Sequence, residues 1–332
     1  MNYAIKVKNV SKEFVDKNKL MPQWLLRNSE KNKFFAVKDA NFDVKKQEVF
    51  GILGPNGCGK STLIRMISTL LVPDTGSIEV FGVDAIKNPD KVKKMINRVS
   101  VEASFFKRLS ARENLLYASR LYGIDDKVAI KKFMQILQEL GFSDKKTDDP
   151  MYKFSRGMQQ KVSIARGFLT NPRLALLDEP TTGLDPKSKI DVQKFLKKTY
   201  SEKDLTIVIT SHDMNEVEKL CDRIAIMDKG KIIALGTSEE LKEQVMDREV
   251  YEIDTSNKKQ TFEIVNSIKG VHNVHKENGK LRFSTKNLKK STDFITSKLA
   301  ENGITLKSFN KVVPTLEDVF LELTGKLLED EE

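Results

Sequence analysis

"GILGPNGCGKST", Gly51 to Thr62, places three glycines within six residues, then a lysine and two hydroxyls. Gly54 to Ser61 fits G-x-x-x-x-G-K-[ST] without departure. It follows the apolar run "VFGIL" and opens a stretch that reads as a helix over 60–71, the setting this spacing requires. Gly54, Gly57 and Gly59 let the backbone curl so that N–H groups point inward. A helix N-terminus adds partial positive charge beside Gly59. Lys60 can then reach the outer phosphates of a nucleoside triphosphate, and the Ser61 hydroxyl can ligate Mg²⁺. Cys58, inside the loop, reads as a small filler rather than a reactive thiol.

Outward from this loop, strands alternate with helices. Residues 3–10 and 40–53 read as strands. Between them lies an insertion, 15–33, rich in lysine, that holds the only tryptophan, Trp24, beside Leu25 and Leu26. Residues 104–169 read as mostly helical, with breaks at Gly123, Gly141 and Pro150. "LALLDEP" (Leu174 to Pro180) and "LTIVITSHD" (Leu205 to Asp213) are short buried strands. The pattern implies an α/β fold around a largely parallel sheet. Near residue 245 the texture changes to the order βαββαβ and a last helix, with a hairpin at Asn278-Gly279. That order fits a small α+β ferredoxin-like unit. The expected division is 1–245 and 246–332.

The 332 residues suggest about two domains. No apolar run approaches the roughly 20 residues that span a bilayer, and the start lacks the apolar block of a signal peptide. Cys58 and Cys221 are too few and too far apart for a disulfide framework, and His212, His272 and His275 make no zinc spacing. His272 and His275 read as surface residues. The net charge of +10 comes mainly from lysine spread along the chain, which reads as a solvated surface. No zinc-finger or aromatic-glycine pattern points to nucleic acid.

The loop alone does not say which triphosphatase this is. In "LALLDEP" the strand ends in Asp178 and Glu179. Asp178 can hold the Mg²⁺ shell and Glu179 can accept a proton from an attacking water. A base so placed is worth roughly 10²–10⁴-fold in rate.

"FSRGMQQKVSIARG" (Phe154 to Gly167) closes the argument. It resembles the signature stretch of the ABC ATPases, the nucleotide-binding subunits of ATP-binding cassette transporters. The family reads LSGGQ and this chain "FSRGM": Ser155 and Gly157 match, while Phe154, Arg156 and Met158 depart. The resemblance implies a P-loop cassette, a RecA-like core with a helical subdomain at about 103–168. It also implies a homodimer in which each signature helix meets the γ-phosphate held by the opposing loop. It assigns nucleotide contacts to Phe14 (stacked on adenine), Asn56, Gly57, Cys58, Gly59, Lys60, Ser61 and Thr62. Ser155, Gly157 and Asp185 of "TTGLDP" join them from the signature and interface loops. Ser61 and Asp178 fall to the metal, and Lys60, Glu179 and His212 to catalysis. The glutamine that the family carries after the strand following the first helix is absent; Glu102 is the nearest candidate metal contact.

The implied cofactors are ATP and Mg²⁺, and the implied partner is an integral-membrane permease on a separate chain. The expected location is the cytoplasmic face of the membrane. "PTLEDVFLELTGK" and "SARENLLYASRLYG" are similar to stretches of exporter-type ATPases. Import, and a soluble ABC ATPase acting on nucleic acid, the ribosome or an assembly complex, stand as alternatives. The insertion can lie near the membrane, where each lysine adds about 1 kcal/mol, or anchor into its own domain.

Overall fold

The computed structural model describes residues 2–15, 33–100, 104–202, 204–244, 249–277, 279–285 and 288–326. The polar run "KNVSKE" breaks the alternation of the first strand, yet β1 runs from Tyr3 to Val15. Successive irregularities in register, three of them between Val7 and Glu13, let it continue against β2 (Lys33–Lys45), so that Phe14 pairs with Phe34 and Val15 with Lys33. The expected insertion therefore enters and leaves through paired strand ends. Trp24, Leu25 and Leu26 lie outside the described residues. The stretch expected as one strand over 40–53 is two, because the chain turns at Gln47 (φ 54°) before β3 (Val49–Leu53).

From β3 the chain passes through the glycine loop into α1 (Lys60–Ile67). This helix stops short of residue 71 where Thr69 takes φ 63°. β4 (Thr75–Val80) and β5 (Val83–Asp84) complete an antiparallel sheet of order β2-β1-β4-β5. After α2 (Pro89–Lys93) and β6 (Ile96–Val99) come α3 (Ala111–Leu121), α4 (Asp126–Glu139) and α5 (Arg156–Phe168). A reciprocal box between Ser110 and Glu113 caps α3, and the Asp125 side chain caps α4. The chain then alternates through β7 (Leu174–Asp178), α6 (Pro186–Glu202), β8 (Thr206–Ser211), α7 (Met214–Leu220), β9 (Arg223–Asp228) and β10 (Lys231–Gly236).

These strands and β3 form a six-stranded sheet of order β10-β9-β3-β8-β7-β6. The neighbours from β9 to β6 pair in parallel. Burial on both faces explains why β3, β7 and β8 read as unbroken apolar runs. Alternate side chains divide between two cores. Phe50, Ile52, Leu176 and Val208 pack with α1 and the antiparallel sheet. Val49, Leu177, Ile207 and Ile209 pack with the helical residues Leu115, Phe133, Val162 and Phe195. Each such side chain contributes about 1.5–3 kcal/mol of transfer free energy. The order β3-β8-β7 brings the carboxyl ends of three strands side by side, which is where open α/β sheets bind ligands.

The chain divides into two compact units, Met1–Leu235 and Gly236–Glu332. The second holds α8 (Ser238–Glu243), β11 (Glu249–Thr255), α9 (Lys258–Asn266), β12 (Val271–Glu277), β13 (Lys280–Thr285), α10 (Leu288–Glu301), β14 (Leu306–Val312) and α11 (Leu316–Thr324). Its antiparallel sheet has the order β12-β13-β11-β14, the ferredoxin-like arrangement. Tyr251, Ile253, Phe283, Ile295 and Leu299 fill its core.

One sequence expectation fails in this unit. His272 is exposed, but His275 is buried among charges. Its Nδ1 lies 2.9 Å from the Asn273 carbonyl. Its Nε2 approaches Asp318 at 3.8 Å and Glu277 at 4.0 Å. Arg282 pairs with both acids, at 3.3 Å to Asp318. The even-numbered face of β13 brings Arg282 under α11, and the histidine is enclosed with it.

Candidate nucleotide site

The loop Gly54 to Gly59 owes its shape to close approaches that only glycine permits. Gly59 has φ +113°, and a Cβ there would stand 2.0 Å from the Ala36 carbonyl oxygen. Gly59 is also the N-cap of α1 and offers no side-chain cap. The first-turn N–H groups of Lys60, Ser61 and Thr62 have no acceptor within an α-helix and face an open end, a ready anion site. Cys58 is buried in the loop as a small filler.

Lys60 Nζ is drawn back onto the loop, donating to the carbonyls of Gly54 (2.7 Å) and Pro55 (2.9 Å). It also stands 3.4 Å from Glu179 Oε1. Ser61 Oγ donates to Asp178 Oδ1 at 2.9 Å. Lysine, serine and both acids, 118 to 119 positions apart for Lys60 with Asp178 and Glu179, thus meet across the β3-β8-β7 edge.

Glu179 sits where β7 ends, in a left-handed conformation (φ 47°) held by its N–H donating to the Thr210 carbonyl (3.1 Å) and hydroxyl (3.0 Å). Its Oε2 accepts from Thr182 Oγ1 (3.0 Å) and lies 3.2 Å from His212 Nδ1. That imidazole contact is within ion-pair reach but lacks hydrogen-bond alignment. Burial alone would raise the Glu179 carboxyl. The His212 imidazole, the Lys60 charge and the Thr182 hydroxyl outweigh it and hold the carboxyl at about 2. The same carboxylate raises the His212 pKa above its ordinary 6.5.

The donor set fits Mg²⁺. Hydroxyl and carboxylate oxygens converge at Ser61 and Asp178. Among the described residues no three His, Cys, Asp or Glu side chains group to hold a metal by themselves. Mg²⁺ characteristically takes one or two protein carboxylates and completes its shell from phosphate and water. Glu102 lies outside the described residues.

A cleft of about 340 Å³ opens over the loop, lined by Phe14, Asn56, Gly57, Gly59 to Thr62 and Glu179. Phe14 stands at its rim with Phe34, ring centroids 6.2 Å apart. Ser155, Gly157 and Asp185 do not line this cleft. They form a second constellation: Ser155 caps α5 by accepting from Met158 N–H, and Asp185 accepts from Ser188 N–H at 3.0 Å. A Cβ on Gly157 would lie 2.9 Å from Ser188 Oγ and 3.3 Å from Asp185 Oδ2. Phe154, a departure from the family's leucine, is buried edge-on to Phe142.

Four residues escaped the sequence reading. Thr210 donates to Asp178 Oδ1 at 2.8 Å while accepting from Glu179, so one buried hydroxyl aligns both acids. Glu216 accepts from Thr181 (2.6 Å) and Ser211 (2.7 Å), tying the loops after β7 and β8, and its burial raises its carboxyl. Arg98 pairs with Asp178, and Phe34 faces Phe14. Only the threonine carried a signal, as a polar residue in the apolar run "TIVIT".

A glycine loop between a central parallel strand and a helix, with an acid pair on a nearby strand, defines a P-loop nucleoside triphosphatase. The comparisons narrow the class. The family profile described as ABC transporter matches residues 37–182, and that described as ATP-binding protein DrrA1-3-like, C-terminal domain, matches residues 236–324. The linearmycin resistance ATP-binding protein LnrL of Bacillus subtilis (strain 168) is 35% identical over 89% of this chain and 95% of its own length. The bacitracin transport ATP-binding protein BcrA of Bacillus licheniformis is 33% identical over 87% and 92%. A solved dimeric ATP-binding cassette in a post-hydrolysis state with ADP and Pi aligns at TM-score 0.61 and 26% identity, over 70% of this chain and 98% of that one. The chain belongs to the ATP-binding subunits of ABC transporters. It is an ATPase, with ATP and Mg²⁺ as its cofactors.

Proposed function

We propose that this chain powers an exporter. Two copies close head to tail around two ATP molecules and drive a permease carried on a separate chain. The observation that carries the dimer is the separation of the two constellations. Lys60, Ser61 and Glu179 line the cleft over the glycine loop, while Ser155 at the α5 end and Asp185 do not. A second copy would complete each site.

In the proposed reaction Lys60 leaves the Gly54 and Pro55 carbonyls for the triphosphate, aided by the first-turn N–H groups of α1. Ser61 and Asp178 would hold Mg²⁺, which neutralises charge on the phosphate oxygens. Glu179, kept ionised by its neighbours, accepts the proton of the attacking water, and His212 holds that carboxylate and the γ-phosphate in line. Phe14 stacks on the base, a contact worth about 1–3 kcal/mol by analogy with base–aromatic stacking.

Export is favoured by the relatives that span both units and are named for resistance or bacitracin transport. A methionine import protein of Oceanobacillus iheyensis covers only 62% of this chain. No helix among the described residues is long and apolar enough to cross a membrane. We place the subunit at the cytoplasmic face through its permease. Phe106, Tyr117 and Tyr152 are exposed aromatics on the helical segment, two of them edge to face at 5.1 Å. They offer the permease an anchoring surface.

The test is the Glu179→Gln chain purified with ATP from its native cells in mild detergent. Capture of a dimer with a polytopic membrane protein supports the reading. A ribosome, nucleic acid or soluble complex in place of a membrane protein refutes it.

A further inference from the structure

The ATPase chemistry leaves one charged residue at the metal site without a role. Arg98, on β6, places Nη2 2.9 Å from Asp178 Oδ2, while Ser61 and Thr210 both donate to Oδ1. The arginine side chain is 19% exposed and the aspartate 3%, so solvent screens the pair little. Asp178 is the partner of the arginine's Nη2, while its Nε–H is buried without one, so the guanidinium's hydrogen-bonding capacity is only partly used. Two cations, Lys60 and Arg98, pair with two carboxylates, Glu179 and Asp178, and the four charges cancel.

We propose that Arg98 is a stand-in cation for the Mg²⁺ site, neutralising Asp178 before the metal arrives and competing with it afterwards. The proposal rests on the nucleotide-site reading above and adds a control over metal demand. It has two consequences of opposite sign. With Asp178 masked, metal-free ATP meets less repulsion and binds better. Mg²⁺, approaching the same carboxylate, meets a positive neighbour and fills its site at a higher concentration.

The experiment titrates a fluorescent ATP analogue onto the full chain, once in EDTA and once at fixed analogue with rising Mg²⁺. Wild type is compared with Arg98→Gln, Arg98→Met and Arg98→Lys. The two neutral variants are expected to lower the Mg²⁺ half-saturation by about fivefold or more, and to weaken metal-free binding by a similar factor. Arg98→Lys, which keeps the charge, is expected to stay within about twofold of wild type. A merely structural role would weaken both bindings together. Movement of the two affinities in the same direction, or an unchanged Mg²⁺ half-saturation in both neutral variants, overturns the proposal. A wild-type chain that does not bind the analogue at all overturns the nucleotide-site reading instead.

Discussion

Glu179→Gln keeps the length and shape of the side chain and removes one charge from the centre of the cleft. In the wild type the carboxyl is held at about 2, against an ordinary 4.5, although burial opposes this. At about 1.36 kcal/mol per pH unit, its interactions with His212, Lys60 and Thr182 favour the charged form by about 3 kcal/mol. Because the folded value is depressed, this stability is present above pH 4.5 and lost as pH falls from there toward 2. The variant is therefore expected to be about 2–3 kcal/mol less stable than wild type at about pH 6, where His212 is still charged, about 5–10 °C in Tm for a unit of this size. The gap should be widest between about pH 5 and 6.5, narrow as pH rises through the raised His212 pKa and the imidazole loses its charge, and close toward pH 2. Denaturant unfolding at a series of pH values reads this directly. NMR titration should also show the His212 pKa falling back toward 6.5 once the carboxylate is gone. Single-turnover hydrolysis should fall about 10²–10⁴-fold, with ATP still bound, if Glu179 is the base. A stability gap that persists undiminished in acid refutes the electrostatic argument. Hydrolysis within about threefold of wild type refutes the catalytic one.

The loop glycines make a second pair of tests. Gly59→Ala would set a Cβ 2.0 Å from a backbone carbonyl at φ +113° and is expected to abolish ATP binding, whereas Gly57→Ala, at φ +77° with nothing within 4 Å, should cost only about 1 kcal/mol in a thermal melt. Equal losses in the two variants would show that conformation, not space, limits the loop. In the second unit, Arg282→Ala leaves Glu277 and Asp318 without their buried counter-charge and should destabilise by about 3–5 kcal/mol. A loss below about 1 kcal/mol would mean that His275 or water takes the arginine's place.

Much of the site was legible in the chain because its logic is local. Gly54 to Ser61 act within one loop, and their spacing alone sets which N–H groups turn inward. "LALLDEP" names its acids by their position at a strand end. The helical segment was legible through periodicity and its glycine breaks. The strand ladder to Val15 was not, because its irregular register hides the alternation. Nor was the burial of His275, which depends on what α11 covers.

By itself, then, the sequence determined the phosphate loop, the strand that ends in the two acids, the signature helix and the order of elements in the second unit, since each is written in contiguous residues. Only the tertiary structure decided that Thr210 aligns Asp178 and Glu179, that Glu216 ties two loops, and that Arg98 pairs with Asp178. Those roles arise because parallel strands β6, β7 and β8 lie side by side in register, setting residues 80 and 32 positions from Asp178 against the same carboxylate. Sheet order and register are properties of the packed whole, and no local stretch of sequence carries them.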